Sequence, residues 1–214
     1  MTIIALNSNR GQAGKDTLVE HLGHHFGKVV HRVAFADELK EELAGVLQVP
    51  LGVLHSSELK DTEMRHLRNS ALSPGPYKDW LKTLTSWDNR FLPRTPRWHL
   101  QVYGTNFVRM HLKQPSRWLN LGLERIKGIL NKDPEALIVV TDLRMVNEYQ
   151  ALGAIGAQRV RINRGWSIPE VDNTPPHESD TALDNTAFEA TVTNVWGKPE
   201  DMVDQLITQG IIER

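Results

Sequence analysis

The chain has 214 residues, 40% of them hydrophobic and 24% charged, with a formal net charge of -1 at pH 7. This length predicts one domain with a sizeable core, and the composition excludes a disordered chain. The chain contains no cysteine, which excludes disulfide scaffolds, thiolate zinc sites and cysteine nucleophiles. The nearly neutral charge does not favour nucleic-acid binding, and no apolar run is long enough to span a membrane.

Apolar runs of strand length alternate with helical patterns along the chain. This alternation predicts an α/β fold with a mainly parallel sheet. The predicted elements, in order, are a strand at 3–6, a loop at 7–14, a helix at 15–26, a strand at 29–35, a helix at 38–46 with Asp37 as N-cap, strands at 136–141, 160–162 and 191–195, and a last helix that opens near Pro199.

Two segments interrupt this alternation. Residues of about 50–97 are rich in proline and predict an insertion, so that a core of about 1–49 and 98–214 completes a single domain. Between residues 60 and 99 eight Lys and Arg residues face four Asp and Glu residues, a local charge of +4 that suits an anionic ligand. Residues of about 164–185 predict a mobile lid, with Arg161 and Arg164 at its root as phosphate-binding candidates.

The strongest chemical signal lies between the first strand and the first helix, over residues 9–17. Small residues there let backbone N–H groups turn towards phosphate oxygens, and the helix N-terminus adds partial positive charge. Lys15 is placed to reach the β- and γ-phosphates of a nucleotide. The predicted phosphate-binding residues are Gly11, Gln12, Ala13, Gly14, Lys15, Asp16 and Thr17.

Carboxylates accompany this loop. Asp16 stands where a Mg²⁺-binding Ser or Thr is usual, so it either holds Mg²⁺, contacts the phosphate acceptor, or only complements the helix dipole. Asp142 follows an apolar run, at the strand end that faces the ligand crevice of a parallel sheet. We expect Asp142 to support Mg²⁺ together with Asp16 or Thr17, the alternative being a cap of the next helix. Arg144 is a candidate to clamp phosphate.

A third group of candidates follows the basic insertion. Arg97 and Arg109 suit an acceptor phosphate because the planar guanidinium binds phosphate through two hydrogen bonds. Gln101 and Asn106 can bond a base edge or sugar hydroxyl, and Trp98, Tyr103 and Trp118 offer stacking surfaces. Each of these residues taken alone also fits a solvated arginine or a packed aromatic.

These motifs together resemble the deoxynucleoside monophosphate kinases of bacteriophages and bacteria, a branch of the P-loop nucleoside monophosphate kinases. The resemblance covers most of the chain and rests on five segments in order: Gly14-Lys15-Asp16-Thr17, residues 35–40, residues 100–105 with Arg109, residues 141–148, and His177-Glu178-Ser179-Asp180.

The resemblance implies a three-layer α/β/α fold of the P-loop NTPase type with an acceptor-binding insertion and a lid. It implies transfer of the γ-phosphoryl group of ATP, with Mg²⁺, to a deoxynucleoside 5′-monophosphate. Lys15, Asp16, Arg109 and Arg144 are then the catalytic candidates, and His177 joins the lid. The acceptor-binding residues implied are Asp37, Lys40, Arg97, Gln101, Thr105, Arg109 and Trp118.

Two other functions stay open at this stage. One is a P-loop kinase for another small acceptor, such as dephospho-coenzyme A or a sugar acid. The other is a nucleotide-binding switch without transfer activity. We expect small-molecule partners, no nucleic acid or membrane, and a cytoplasmic location (the host cytoplasm for a phage protein). A homodimer is left open.

Overall fold

The computed structural model describes residues 2–8, 11–84, 86, 88–169 and 181–213. The chain divides into two compact units. The sheet unit comprises Met1–Phe35 and Gly122–Arg214, and the helical unit comprises Ala36–Leu121. The helical unit is therefore longer than the insertion predicted at about 50–97. The reason lies in its packing, since Glu42 accepts hydrogen bonds from both Tyr103 and Arg117.

The sheet unit is built on five parallel strands in the order β2-β3-β1-β4-β5. The strands are β1 (Thr2–Asn7), β2 (Val30–Val33), β3 (Leu137–Val140), β4 (Gln158–Arg164) and β5 (Ala190–Asn194). Apolar side chains of β1 and β3 are buried on both faces, which is typical of a parallel sheet covered by helices. The α/β prediction is confirmed, and the unit is consistent with a three-layer fold of the P-loop NTPase type.

Helices of the sheet unit flank these strands. They are α1 (Lys15–Phe26), the part of α6 (Arg117–Lys132) that follows Leu121, α7 (Val146–Ala154) and α8 (Asp201–Thr208), while α2 (Phe35–Leu47) leaves the unit after its first residue. Leu18 and Leu22 of α1 pack with Met202 and Leu206 of α8 on the face of the sheet that carries Ile4. Their spacing of four keeps each pair on one helix face, so burial of this face holds both helices against the strands.

The helical unit contains α3 (Leu51–His55), α4 (Pro76–Leu84) and α5 (Pro96–Gln101), with 3-10 turns at Arg65–Leu67 and Asp88–Phe91. After α5 the chain continues as a π-helix over Val102–His111. Proline begins α4 and α5 because its fixed φ suits the first helical turn, where its missing N–H is not needed.

The start of α2 corrects one prediction. The strand predicted at 29–35 ends at Val33, and the helix begins at Phe35, so Asp37 lies inside the first turn and is not the N-cap. The Phe35 N–H instead donates to Oδ1 of Asp142 at 2.9 Å. A carboxylate 107 positions away in the sequence thus satisfies the helix end. Asp142 does cap a helix, but that helix is α2 and not the following α7.

Among the described residues, no helix combines the length and apolar character that crossing a membrane requires.

Candidate phosphate-binding site

The loop between β1 and α1 leaves the central strand of the sheet. The chain from β1 leads to β2 on one side, and the chain from β3 leads to β4 on the other. The carboxyl ends of the adjacent strands β1 and β3 therefore form a topological switch point, where ligands bind in open α/β sheets. The predicted loop follows β1 and Asp142 follows β3, so strand order brings both to the same sheet edge.

Gly14 sets the geometry at the start of α1. Its φ of 86° is left-handed, and no side chain caps the helix there. A Cβ on Gly14 would lie 2.1 Å from Nδ2 of Asn194, so only glycine fits. The buried Asn194 amide in turn donates to the Ala13 carbonyl at 3.1 Å. Gln12 is also at positive φ, so two residues of this loop adopt left-handed φ angles.

Lys15 turns back onto the loop that precedes it. Its Nζ donates to Oγ of Ser8 at 2.5 Å, which holds the ammonium group beside the start of α1. The first-turn N–H groups of a helix find no acceptor inside the helix, and the helix dipole favours an anion at this end. The loop thus combines a cation, a helix N-terminus and curved backbone. Asn9 and Arg10 lie outside the described residues.

Asp16 projects from the first turn of α1 and is 78% exposed. Its Oδ1 accepts a hydrogen bond of 3.2 Å from Nε of Arg32 on β2. Arg32 is not among the residues predicted from the sequence, although its position near the carboxyl end of a strand is one where ligand-binding residues concentrate. The pair places a second cation beside the loop.

The turn after β3 is braced by a buried carboxylate. Oε2 of Glu148 accepts from the backbone N–H groups of Arg144 at 2.9 Å and Met145 at 3.0 Å. Glu148 is 3% exposed, so its contacts fix the turn from the interior. The Arg144 side chain is exposed, on the same turn as Asp142. This placement is compatible with the predicted phosphate contact.

The predicted lid root also contacts the loop. Arg164 donates from Nη1 to the Gly11 carbonyl at 3.0 Å and from Nε to the Trp166 carbonyl at 2.9 Å. Trp166 packs edge to face against Trp196, which follows β5 and is 75% exposed. Arg164 therefore ties the end of β4 to the loop between β1 and α1.

Arg161 has a different environment from Arg164. Its guanidinium donates to the carbonyls of Leu183 and Asp184 and lies over the ring of Phe188. Burial lowers the pKa of this guanidinium. Arg161 thus fastens the segment that precedes β5. His177, the third residue predicted for the lid, lies outside the described residues.

In the helical unit, three of the predicted acceptor residues already engage in ion pairs. Lys40 donates from Nζ to Oδ1 of Asp37 at 3.2 Å, and both side chains are largely buried. Arg97 donates from Nε and Nη2 to the two carboxylate oxygens of Asp61, at 2.5 and 3.0 Å. The guanidinium beside it lowers the pKa of Asp61. An anionic ligand of Arg97 would therefore compete with Asp61.

The π-helix carries two more of the predicted acceptor-binding residues, Thr105 and Arg109. Tyr103, Phe107 and His111 follow one another at a spacing of four, with ring centroids 5.4 and 5.7 Å apart, so residues four apart share a face. Thr105 and Arg109 have the same spacing and therefore share another face. π-helical turns are rare and occur often at functional sites. Gln101 ends the preceding α5.

The stacking role predicted for Trp118 does not fit its packing. The ring is 2% exposed, and Nε1 donates to the Gly104 carbonyl at 3.4 Å. Tyr103, another stacking candidate, is 5% exposed and donates its hydroxyl to Glu42. Both rings lack an open face for a base because they fill the interior of the helical unit. Trp98 is covered by the Arg94 guanidinium, 4.5 Å from its ring centroid.

The residues around the loop fit Mg²⁺. The described residues contain no group of three or more His, Cys, Asp or Glu side chains that could hold a metal ion. Mg²⁺ needs no such group beside a nucleotide, because one or two carboxylates and the substrate phosphates supply its protein and ligand oxygens. Asp16 provides an exposed carboxylate and Thr17 a hydroxyl, both hard oxygen donors. One oxygen of Asp142 is engaged by the Phe35 N–H at the start of α2.

The chain is distantly similar to a protein of a giant virus. No protein-family model matches the chain. The chain is 24% identical over 189 residues to a protein of Acanthamoeba polyphaga mimivirus named "Putative deoxynucleotide monophosphate kinase", covering 86% of this chain and 82% of that protein. This similarity supports a kinase-like relationship that extends over both units.

Proposed function

We propose that the protein is a kinase that transfers the γ-phosphoryl group of ATP to a deoxynucleoside 5′-monophosphate. The observation that carries this proposal is the loop at the end of the central strand, where Gly14 is left-handed and the Lys15 ammonium group turns back to Ser8, a geometry that suits an anion. The similarity to the mimivirus protein supports the choice of acceptor class.

In this proposal the loop binds the donor phosphates. The first-turn amides of α1 and the Lys15 ammonium hold the β- and γ-phosphates and offset charge that develops on them. When bound through Asp16 and Thr17, Mg²⁺ supplies further charge neutralisation to the donor. Asp142 holds the start of α2 beside the end of β3 by accepting the Phe35 N–H.

The acceptor is held by residues that carry positive charge or hydrogen-bonding groups. Arg109 and Thr105 share one face of the π-helix, Gln101 precedes them, and Lys40 on α2 offers a further ammonium group that is paired with Asp37. An oxygen of the acceptor phosphate attacks the γ-phosphorus, while the bond to the β–γ bridging oxygen breaks and ADP leaves. Arg144 stabilises the moving group. Positioning and charge supply most of the catalysis in such a reaction.

A coupled assay of ADP formation tests the proposal, with ATP, Mg²⁺ and each of the four common deoxynucleoside monophosphates. We expect at least one of them to be phosphorylated. Lys15→Ala should lower kcat/KM by at least about a hundredfold, in line with the loss of one group that stabilises transition-state charge.

The control is Lys132→Ala, which removes an exposed lysine at the end of α6 and should leave activity unchanged. Full activity of Lys15→Ala would contradict the phosphate-binding role. Phosphorylation of a different small acceptor alone would contradict the substrate class. Slow ATP hydrolysis with no phosphorylated acceptor would indicate a nucleotide switch.

A further inference from the structure

The ion pair between Asp16 and Arg32 raises a question of charge balance. Asp16 is a carboxylate in the first turn of the helix that begins at the phosphate-binding loop. A carboxylate there suits the helix dipole but repels the phosphates of a nucleotide. Binding a polyphosphate beside Asp16 therefore requires a cation that compensates its charge.

Arg32 supplies such a cation in the structure. It comes from β2, where it is in register with Val139 of β3, and its Nε lies 3.2 Å from Oδ1 of Asp16. The two side chains are 39% and 78% exposed, and exposed ion pairs contribute little to stability. The contact therefore contributes little to the stability of the fold. Its main effect is on the charge beside the loop.

We propose that Arg32 is a positioning residue that neutralises Asp16 in the metal-free site and releases it to Mg²⁺ when the metal–nucleotide complex binds. This inference rests on the proposed function, because it requires a nucleotide on the loop. Arg32 and Mg²⁺ then compete for the same carboxylate. The competition makes the Mg²⁺ requirement of nucleotide binding depend on Arg32.

Isothermal titration calorimetry with ADP tests this competition without any turnover. Affinity is measured in EDTA and over a series of Mg²⁺ concentrations for the full-length wild type, Arg32→Gln, Asp16→Asn and the double variant. In EDTA we expect Arg32→Gln to bind ADP about fivefold more weakly, the effect of roughly one uncompensated charge contact in a solvated site.

Magnesium should reverse this defect. At saturating Mg²⁺ we expect Arg32→Gln to bind ADP within about twofold of the wild type, and its Mg²⁺ midpoint to fall several-fold because no arginine must be displaced. In the Asp16→Asn background the same substitution should leave the Mg²⁺ midpoint unchanged. Arg125→Gln, which removes an exposed arginine on α6, is the matched charge control and should behave like the wild type.

Each of the following results would contradict the inference or the proposal on which it rests. Equal weakening of ADP by Arg32→Gln with and without Mg²⁺ would assign Arg32 to direct phosphate binding. Unchanged affinity under both conditions would make the ion pair incidental. A wild type that binds no ADP at all would instead refute the proposed function, which separates the two failures.

Discussion

Acidification should destabilise the protein through His99, a histidine with no exposed surface in the helical unit. Its Nε2 lies 2.7 Å from the Leu67 carbonyl, so this nitrogen carries the proton and donates. Its Nδ1 then accepts from the Tyr77 hydroxyl at 3.1 Å. Protonation of Nδ1 would put a second N–H against a group that now donates to it, and would place a charge in the interior.

The size of this effect follows from the pKa of His99, which burial lowers from 6.5 to about 4. Below about pH 6.5 the unfolded chain therefore binds a proton at this residue that the folded chain does not bind, and stability is lost as the pH falls. Linkage with these two pKa values gives a loss of about 2 kcal/mol between pH ~7.5 and pH ~5. The contribution of this residue is fully present above about pH 7 and levels off below about pH 4.

Urea denaturation at a series of pH values measures this slope. His99→Gln removes the titrating group, so we expect the variant to be less stable at neutral pH and about 2 kcal/mol less sensitive to acidification than the wild type. His66→Gln, an exposed histidine of the same unit, is the matched control and should retain the wild-type slope. The same pH dependence in His99→Gln and wild type would refute the reasoning.

Two further substitutions test the packing. Gly14→Ala should lower the free energy of unfolding by about 2–4 kcal/mol, because it adds left-handed strain and displaces the buried Asn194 amide. Gly27 is also left-handed, but a Cβ there meets open space, so Gly27→Ala should cost only about 1 kcal/mol in thermal or urea unfolding. Equal losses of unfolding free energy in the two variants would show that the clash with Asn194 is relieved, which would contradict this reasoning. Glu42→Gln should lower unfolding free energy by about 1–2 kcal/mol by weakening the paired hydrogen bonds from Arg117, and an unchanged urea midpoint would contradict this.

Local patterns in the sequence were enough to predict the elements on either side of the loop between β1 and α1. A short apolar run, a glycine-rich turn and a helix with apolar residues four apart depend on neighbours within a few positions, and the structure confirms β1 and the helix Lys15–Phe26. The left-handed backbone at Gly14 follows from the same local chemistry, since glycine alone adopts it without cost.

Contacts between distant residues could not be predicted in this way. The sequence indicated strands but not the order β2-β3-β1-β4-β5, and that order makes β1 and β3 neighbours. The order also makes β2 and β3 neighbours, and this pairing brings Asp142, which follows β3, to the Phe35 N–H, which follows β2. The contact between Arg32 and Asp16 depends on how α1 packs beside β2. Neither contact leaves a local signature in the sequence, because each depends on tertiary packing.

Aromatic residues show the same division. The sequence shows that Tyr103 and Trp118 are aromatic, but a ring suits a core and a ligand platform equally well. Tertiary packing decided between the two by burying both rings and directing the Trp118 N–H to a backbone carbonyl. The sequence thus supplied candidates for phosphate binding and indicated which segments are strands or helices. Only the tertiary structure decided which side chains are in contact, because those contacts depend on long-range strand order and burial.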